Sequence, residues 1–230
     1  MHVFFKYGMI KLVIIMINYL GYIASGLIVL AFLGYLLIVF MNRKRKITDG
    51  SAFDVTKDIL SDYDHINIIE NKSIFTVYNI KRRVIKLASK CYYGNSLSDV
   101  CVSLSEAGIS AIDDYKNKFI NFLRNLIPNL KLLYILPLIA IGNNKMTYNV
   151  SDAKVSIILM LLFSAIEYFL IDIRTKALEW INKNFKKVSE VSKGNKDKVI
   201  SFISNMILID KLIFIAELLI IIKCVAIILY

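Results

Sequence analysis

Histidine is nearly absent from this chain, with only His2 and His65. They stand far apart in sequence, so the H-E-x-x-H arrangement, which needs two imidazoles one helical turn apart, cannot be formed. Close cysteine spacing is missing too: Cys91, Cys101 and Cys224 contain no C-x-x-C pair of the kind that holds zinc or cycles between thiol and disulfide. Neither G-x-x-x-x-G-K-[ST] nor G-x-G-x-x-G occurs, which removes nucleotide binding through those phosphate-cradling loops. What is abundant is apolar surface. Of 230 residues, 57% are hydrophobic and the mean hydropathy is +0.59, against roughly 45–50% apolar in an ordinary soluble domain. Charge is lopsided, +11 at pH 7, which points to an anionic partner: phospholipid or nucleic acid.

Position decides between those two. Gly21 to Phe40 reads GYIASGLIVLAFLGYLLIVF, 20 residues without a charge, enough at helical rise to cross a hydrocarbon core of about 30 Å. The apolar stretch reaches back to Leu12, so a long, tilted helix is expected. No A-x-A cleavage site follows, which favours an uncleaved anchor over a secretory signal. Arg43, Lys44, Arg45 and Lys46 come directly after, against Lys6 and Lys11 on the other flank. That asymmetry puts residue 43 onward in the cytoplasm.

Three more apolar segments lie toward the carboxyl end: the short, Pro-interrupted Leu126–Gly142, then Val155–Ile173 with Glu167, and Met206–Tyr230 with Asp210, Lys211, Glu217 and Lys223. Between the last two, residues 174–205 carry eight Lys or Arg against Glu179, Glu190 and Asp197. Four spans with 43–125 and 174–205 inside satisfy the positive-inside rule at both loops. The basic residues then flank spans, beside anionic headgroups that attract each by about 1 kcal/mol. The partner implied is the lipid bilayer of the cell membrane, and no nucleic acid.

The expected organisation is a signal-anchor span at 1–41, a cytoplasmic α+β insert at 42–125, and a carboxyl-terminal membrane region at 126–230 containing the basic loop. The fold class is mainly α: a multi-pass helical membrane protein with a small insert. Within the insert, Ser51 is a good N-cap for a helix over 51–62. Three β-prone runs follow, Ile66–Glu70, Ile74–Tyr78 and Val84–Leu87, the last two joined through residues 79–82 as a hairpin. They predict a small antiparallel sheet. After the break at Gly94-Asn95 and the N-cap Ser96, the positions Leu97, Val100, Cys101, Leu104, Gly108, Ala111, Ile112 and Tyr115 keep a 3.6-residue period, a helix with one buried stripe.

The run Tyr78 to Ser96, YNIKRRVIKLASKCYYGNS, resembles Y-D-P-x-x-x-x-L-x-L-S-P-x-V-Y-x-G-x-S of the bacterial membrane zinc metallopeptidases of the YugP-like family. In that family the run leads without a gap into a helix bearing H-E-V-G-H-A-I-Q; here the same offset falls on Ser105-Glu106-Ala107-Gly108-Ile109-Ser110-Ala111-Ile112. Residues 52–60, AFDVTKDIL, are similar to the family's G-A-E-V-A-R-R-I-L, and residues 172–180, DIRTKALEW, to its D-A-S-R-R-A-L-x-W. The resemblance implies a metallopeptidase-like insert, with zinc as cofactor in active relatives. It also implies that Ser105, Ile109 and Leu170 occupy the three ligand places and Glu106 that of the general base. Serine is a poor ligand and isoleucine and leucine are none, so no cofactor is expected and Glu106 has no metal-bound water to deprotonate. A one-residue slip that puts Ser110 in place of Ile109 changes nothing.

Bland roles are expected for the remaining candidates. Cys101 and Ser105 share a helix face, but no histidine there activates either, and Cys101 reads as a small core residue. Glu106 reads as a surface or capping carboxylate and His65 as a strand-edge residue. Glu167 and Lys211 lie at similar depths, about 9 and about 7.5 Å from the cytoplasmic ends of their helices, which predicts an intramembrane ion pair. The sequence thus suggests a pseudopeptidase: a binding or regulatory scaffold for a membrane-protein or peptide partner. The competing functions are an active zinc endopeptidase using other ligands, and a transporter or channel subunit suggested by the ionisable residues within spans.

Overall fold

The computed structural model describes residues 2–72, 76–79, 81–112, 150–189 and 191–229. The expected segment Leu126–Gly142 lies outside these residues, as do Tyr115 and the start of the run at Ile74. The described chain is mainly helical, with one three-stranded sheet. Its contacts divide it into two units, one of residues 1–32, 124–168 and 210–230 and one of residues 33–123 and 169–209.

Helix α1, His2–Asn42, runs 41 residues without interruption, or about 60 Å at 1.5 Å per residue. Its apolar residues surround the axis rather than forming a stripe. Among its residues from Tyr19 onward, Ala24 and Ala31 are buried, whereas Tyr22, Leu30, Phe32 and Phe40 are exposed. A helix apolar on all sides needs a nonaqueous neighbour all round. Residues Tyr19–Asn42 are long and apolar enough to cross a membrane or to serve as a signal sequence, and among the described residues no other helix meets both criteria.

The unit of residues 33–123 and 169–209 holds the sheet. Helix α2, Ala52–Ile59, starts at a full capping box. The Ser51 backbone N–H donates to Asp54 Oδ2 at 2.8 Å, and the Asp54 N–H donates back to Ser51 Oγ at 3.3 Å. Strands β1 (Asn67–Asn71), β2 (Val77–Asn79) and β3 (Val84–Ala88) follow. The hairpin between β2 and β3 forms as expected, antiparallel with Asn79 opposite Val84. The left-handed backbone of Arg83 (φ 52°) and an Arg82 N–H donated to Asn79 Oδ1 at 3.1 Å close its turn.

An all-antiparallel sheet is not what forms. The order is β1-β3-β2, and β1 runs parallel to β3 from Asn67↔Val84 to Asn71↔Ala88. Burial explains the order: Ile85 and Leu87 are fully enclosed, which places β3 in the centre, whereas β1 exposes Asn67, Ile69 and Glu70 and takes an edge. A short helix that the sequence did not announce, α3 (Ser89–Tyr93), then leads to Gly94. A side chain at Gly94 would collide with the Asp99 carboxylate and the Lys90 carbonyl, so only glycine fits this approach.

Helix α4, Leu97–Ile112, begins with Ser96 Oγ donating to Asp99 Oδ2 at 2.6 Å and accepting the Asp99 N–H at 3.2 Å. A single buried stripe was the expectation. Instead Asp99, Ser103, Glu106, Ala107, Ile109 and Ser110 are buried along with Leu97, Val100, Cys101, Leu104 and Gly108. Neighbours on several sides cause this. Ser103 Oγ lies 3.4 Å from the Ala52 carbonyl of α2. A side chain at Gly108 would come within 3.0 Å of Ala177 O and Ile181 on helix α5, Val150–Asn184. Cys101 Sγ lies 3.7 Å from Val199 O on helix α6, Lys193–Leu229.

The expected boundary at residue 126 separated the basic loop from the insert. The structure joins part of them: residues 169–209 belong to the sheet's own unit. Lys187 pairs with Asp62, Ser189 Oγ donates to Asp58 at 2.9 Å, Thr48 bridges Val191, and Asn195 Nδ2 donates to Ile47 O at 3.0 Å. In the other unit a small core gathers Met160, Ile221 and Cys224, with Leu218 and Val225 packed against it.

Candidate functional site

Helix α4 carries Ser105, Glu106 and Ile109 of the positions that the resemblance marks, and α5 carries Leu170. At the first, the Ser105 hydroxyl donates to the Cys101 carbonyl one turn back at 2.8 Å. That is the local back-bond a helical serine makes when nothing else claims it. At the second, Ile109 is buried and offers only carbon. At the third, Leu170 sits half-buried on α5, again with no donor atom. These three residues do not fit a zinc ion. Among the described residues no three His, Cys, Asp or Glu side chains gather as a metal site needs.

Glu106 departs from its expected surface or capping role. It is only 7% exposed, and its Oε2 accepts the backbone N–H of Tyr78 at 2.8 Å. Tyr78 lies on β2, the strand at the sheet edge nearest α4. Tyr78 is itself buried, and removing the acceptor of a buried N–H costs about 1–3 kcal/mol. The carboxylate therefore ties the helix to the sheet.

Cys101 behaves as the core residue its position predicts. It is 1% exposed, and burial pushes its thiol well above the ordinary thiol range, which keeps it protonated and unreactive. Cys91, half-buried, has its Sγ 3.8 Å from Asp99 Oδ1, and burial raises its thiol as well. His65 stands in the turn before β1 rather than on the strand, exposed, with its ring 5.9 Å from that of Tyr63.

An aromatic contact escaped the sequence reading. Trp180, the chain's one tryptophan, donates from Nε1 to the Tyr63 hydroxyl at 3.2 Å, with the rings edge-to-face at 5.7 Å. It fastens the segment similar to D-A-S-R-R-A-L-x-W onto the loop after α2. The signal available was the lone tryptophan in an otherwise polar stretch.

At the far edge of the sheet, no described strand pairs with the outer side of β1. Ile69 and Tyr93 are exposed there, and the Tyr93 hydroxyl donates to Glu70 Oε2 at 3.0 Å; that hydrogen bond to the neighbouring carboxylate holds the phenol above its usual value. In the other unit, Glu167 is buried on α5 and Lys211 exposed on α6. No ion pair joins them among the described residues. Helical rise matched their depths, but rotation about each helix axis decides which way a side chain faces.

No family model matches the chain, and neither a curated protein nor a solved structure is found to match it.

Proposed function

We propose that this chain is a multi-pass cell-membrane protein whose cytoplasmic unit keeps a metallopeptidase-like arrangement without its metal, and holds a peptide or membrane-protein partner rather than cutting it. The observation that carries this reading is the engagement of α4's polar groups. Glu106 is bound to the Tyr78 N–H and Ser105 to the Cys101 carbonyl, while Ile109 and Leu170 offer no ligand atom. The binding half is supported by β1, an edge strand with Ile69 exposed on it and Tyr93 of α3 exposed beside it; an extended segment adds to such an edge through its backbone. The membrane half is supported by the length and composition of Tyr19–Asn42 and by the basic residues that follow it.

Three measurements test it. Elemental analysis of the purified chain is expected to find zinc far below one ion per chain; a tightly bound zinc lost on mutating Glu106 or Glu167 would favour an active endopeptidase. A photo-crosslinking residue at position 69 is expected to capture a discrete polypeptide in native membranes, and Tyr93→Lys to weaken that capture. Cysteines placed at Ser51 and Ser192 are expected to resist a membrane-impermeant thiol reagent added outside the cell; labelling of either reverses the topology.

A further inference from the structure

The end of the apolar part of α1 borders an open cleft of about 330 Å³ in the unit of residues 33–123 and 169–209. This lies near the lower end of the roughly 300–1,000 Å³ typical of small-molecule sites. One wall is the last turn of α1, Ile38 and Asn42, continuing to Arg45; the facing wall is the start of α6, with Asp197, Lys198, Ser201 and Phe202. Arg45 is fixed by its backbone and Lys198 by its ammonium group. Arg45's backbone carbonyl accepts the Leu97 N–H at 2.8 Å, and its N–H donates to Asn42 O at 3.3 Å. Lys198 Nζ donates to Asn195 Oδ1 at 2.8 Å, and Asn195 is itself tied to the Ile47 carbonyl. Among the described residues the Arg45 guanidinium has no carboxylate partner, and Asp197 pairs with neither cation.

We propose that this cleft binds the phosphodiester headgroup of an anionic phospholipid. Two cations against one carboxylate leave a single positive charge, matched to one phosphodiester. Arg45's planar fork suits a pair of phosphate oxygens, and Ser201 and Asn42 supply uncharged polar groups for headgroup hydroxyls. Ile38, Leu97 and Phe202 give the glycerol and first acyl carbons an apolar wall. The position commits the ligand to a lipid: Ile38 and Asn42 are the final turn of the segment long enough to cross a bilayer, so the cleft lies where headgroups begin. This inference rests on the membrane reading above.

The test uses the full chain in nanodiscs of phosphatidylcholine with and without phosphatidylglycerol, followed by native mass spectrometry of retained lipid. Phosphatidylglycerol is expected to be retained selectively. Arg45→Gln and Lys198→Gln are each expected to lower that retention about five-fold, the size of one juxtamembrane cation's attraction. Asp197→Asn is expected to raise it, a gain that misfolding cannot imitate. Lys44→Gln, exposed beside the cleft but not lining it, is expected to lower it less than either cleft variant. Equal retention of the two lipids, or an equal loss with Lys44→Gln, overturns the cleft as a site. Competition by free glycerophosphoglycerol as strong as by the lipid overturns the bilayer as the source. Release of the chain from membranes by alkaline carbonate overturns the membrane reading and this inference with it; an integral chain without lipid preference overturns only the inference.

Discussion

Helices α1 and α4 are both rich in apolar residues, yet they meet opposite surroundings. In α4, Val100 and Leu104 are completely enclosed, and even Ser103 and Glu106 are buried among protein groups. In α1, Tyr22 is 75% and Phe40 83% exposed. The same hydrophobic effect acts on both. Helix α4 satisfies it with α2, β2, α5 and α6, whereas α1 leaves much of its apolar surface exposed. The difference teaches that hydropathy states how much surface must leave water, not what covers it: α4 found protein, and α1 presents a surface suited to lipid.

The comparison is most directly broken in α4's core. Leu104→Ala removes a fully enclosed side chain and is expected to cost about 4 kcal/mol, read from thermal unfolding followed by the fluorescence of Trp180, which lies in the same unit. A cost under about 1 kcal/mol would mean that the enclosure is loose.

Next comes α1. Leu30, 63% exposed, changed to Arg is expected to cost about 3 kcal/mol of membrane insertion if lipid is its neighbour, measured as the carbonate-resistant fraction. An exposed Leu→Arg facing water changes stability by no more than about 0.5 kcal/mol, so an unaltered fraction would refute the contrast.

Glu106 sharpens the comparison from the polar side. Glu106→Ala leaves the Tyr78 N–H without its acceptor and is expected to cost about 2 kcal/mol. Glu106→Gln keeps an acceptor oxygen and is expected to recover much of that. A general base would show the reverse emphasis: little change in unfolding, and equal loss of activity in both variants.

The smallest effect belongs to the cap of α2. Ser51→Ala is expected to cost about 1 kcal/mol. The Ser51 backbone N–H, and then its hydroxyl, hold the Asp54 carboxyl below its ordinary value of 3.8. A depressed carboxyl stabilises the fold above its unfolded-state value, and that contribution disappears as pH falls through the folded-state value. Acid unfolding of the wild-type chain is therefore expected to include a component below pH 3.8 that Ser51→Ala diminishes.

Much of the secondary structure was legible because its causes lie within a few residues. The unbroken apolar run predicted α1, Ser51 and Ser96 announced the starts of α2 and α4, and Asn79 to Arg82 announced the hairpin. The candidate site was legible only as chemistry that does not fit: Ser105, Ile109 and Leu170 declare by composition that no zinc ligand set stands at those places. What Glu106 does instead was not legible, since its partner Tyr78 is 28 residues away and periodicity does not say which strand packs on which helix.

The amino-acid sequence by itself determined where helices begin, which stretch is apolar enough for a bilayer, and which donor atoms are missing from α4, because caps, runs and side-chain chemistry are local properties. Only the tertiary structure decided that β1 runs parallel to β3, that Glu106 is buried against β2, that Trp180 closes on Tyr63, 117 residues distant, and that Arg45 faces the first turns of α6. Each of those depends on which surfaces cover one another, and periodicity carries no information about the partner.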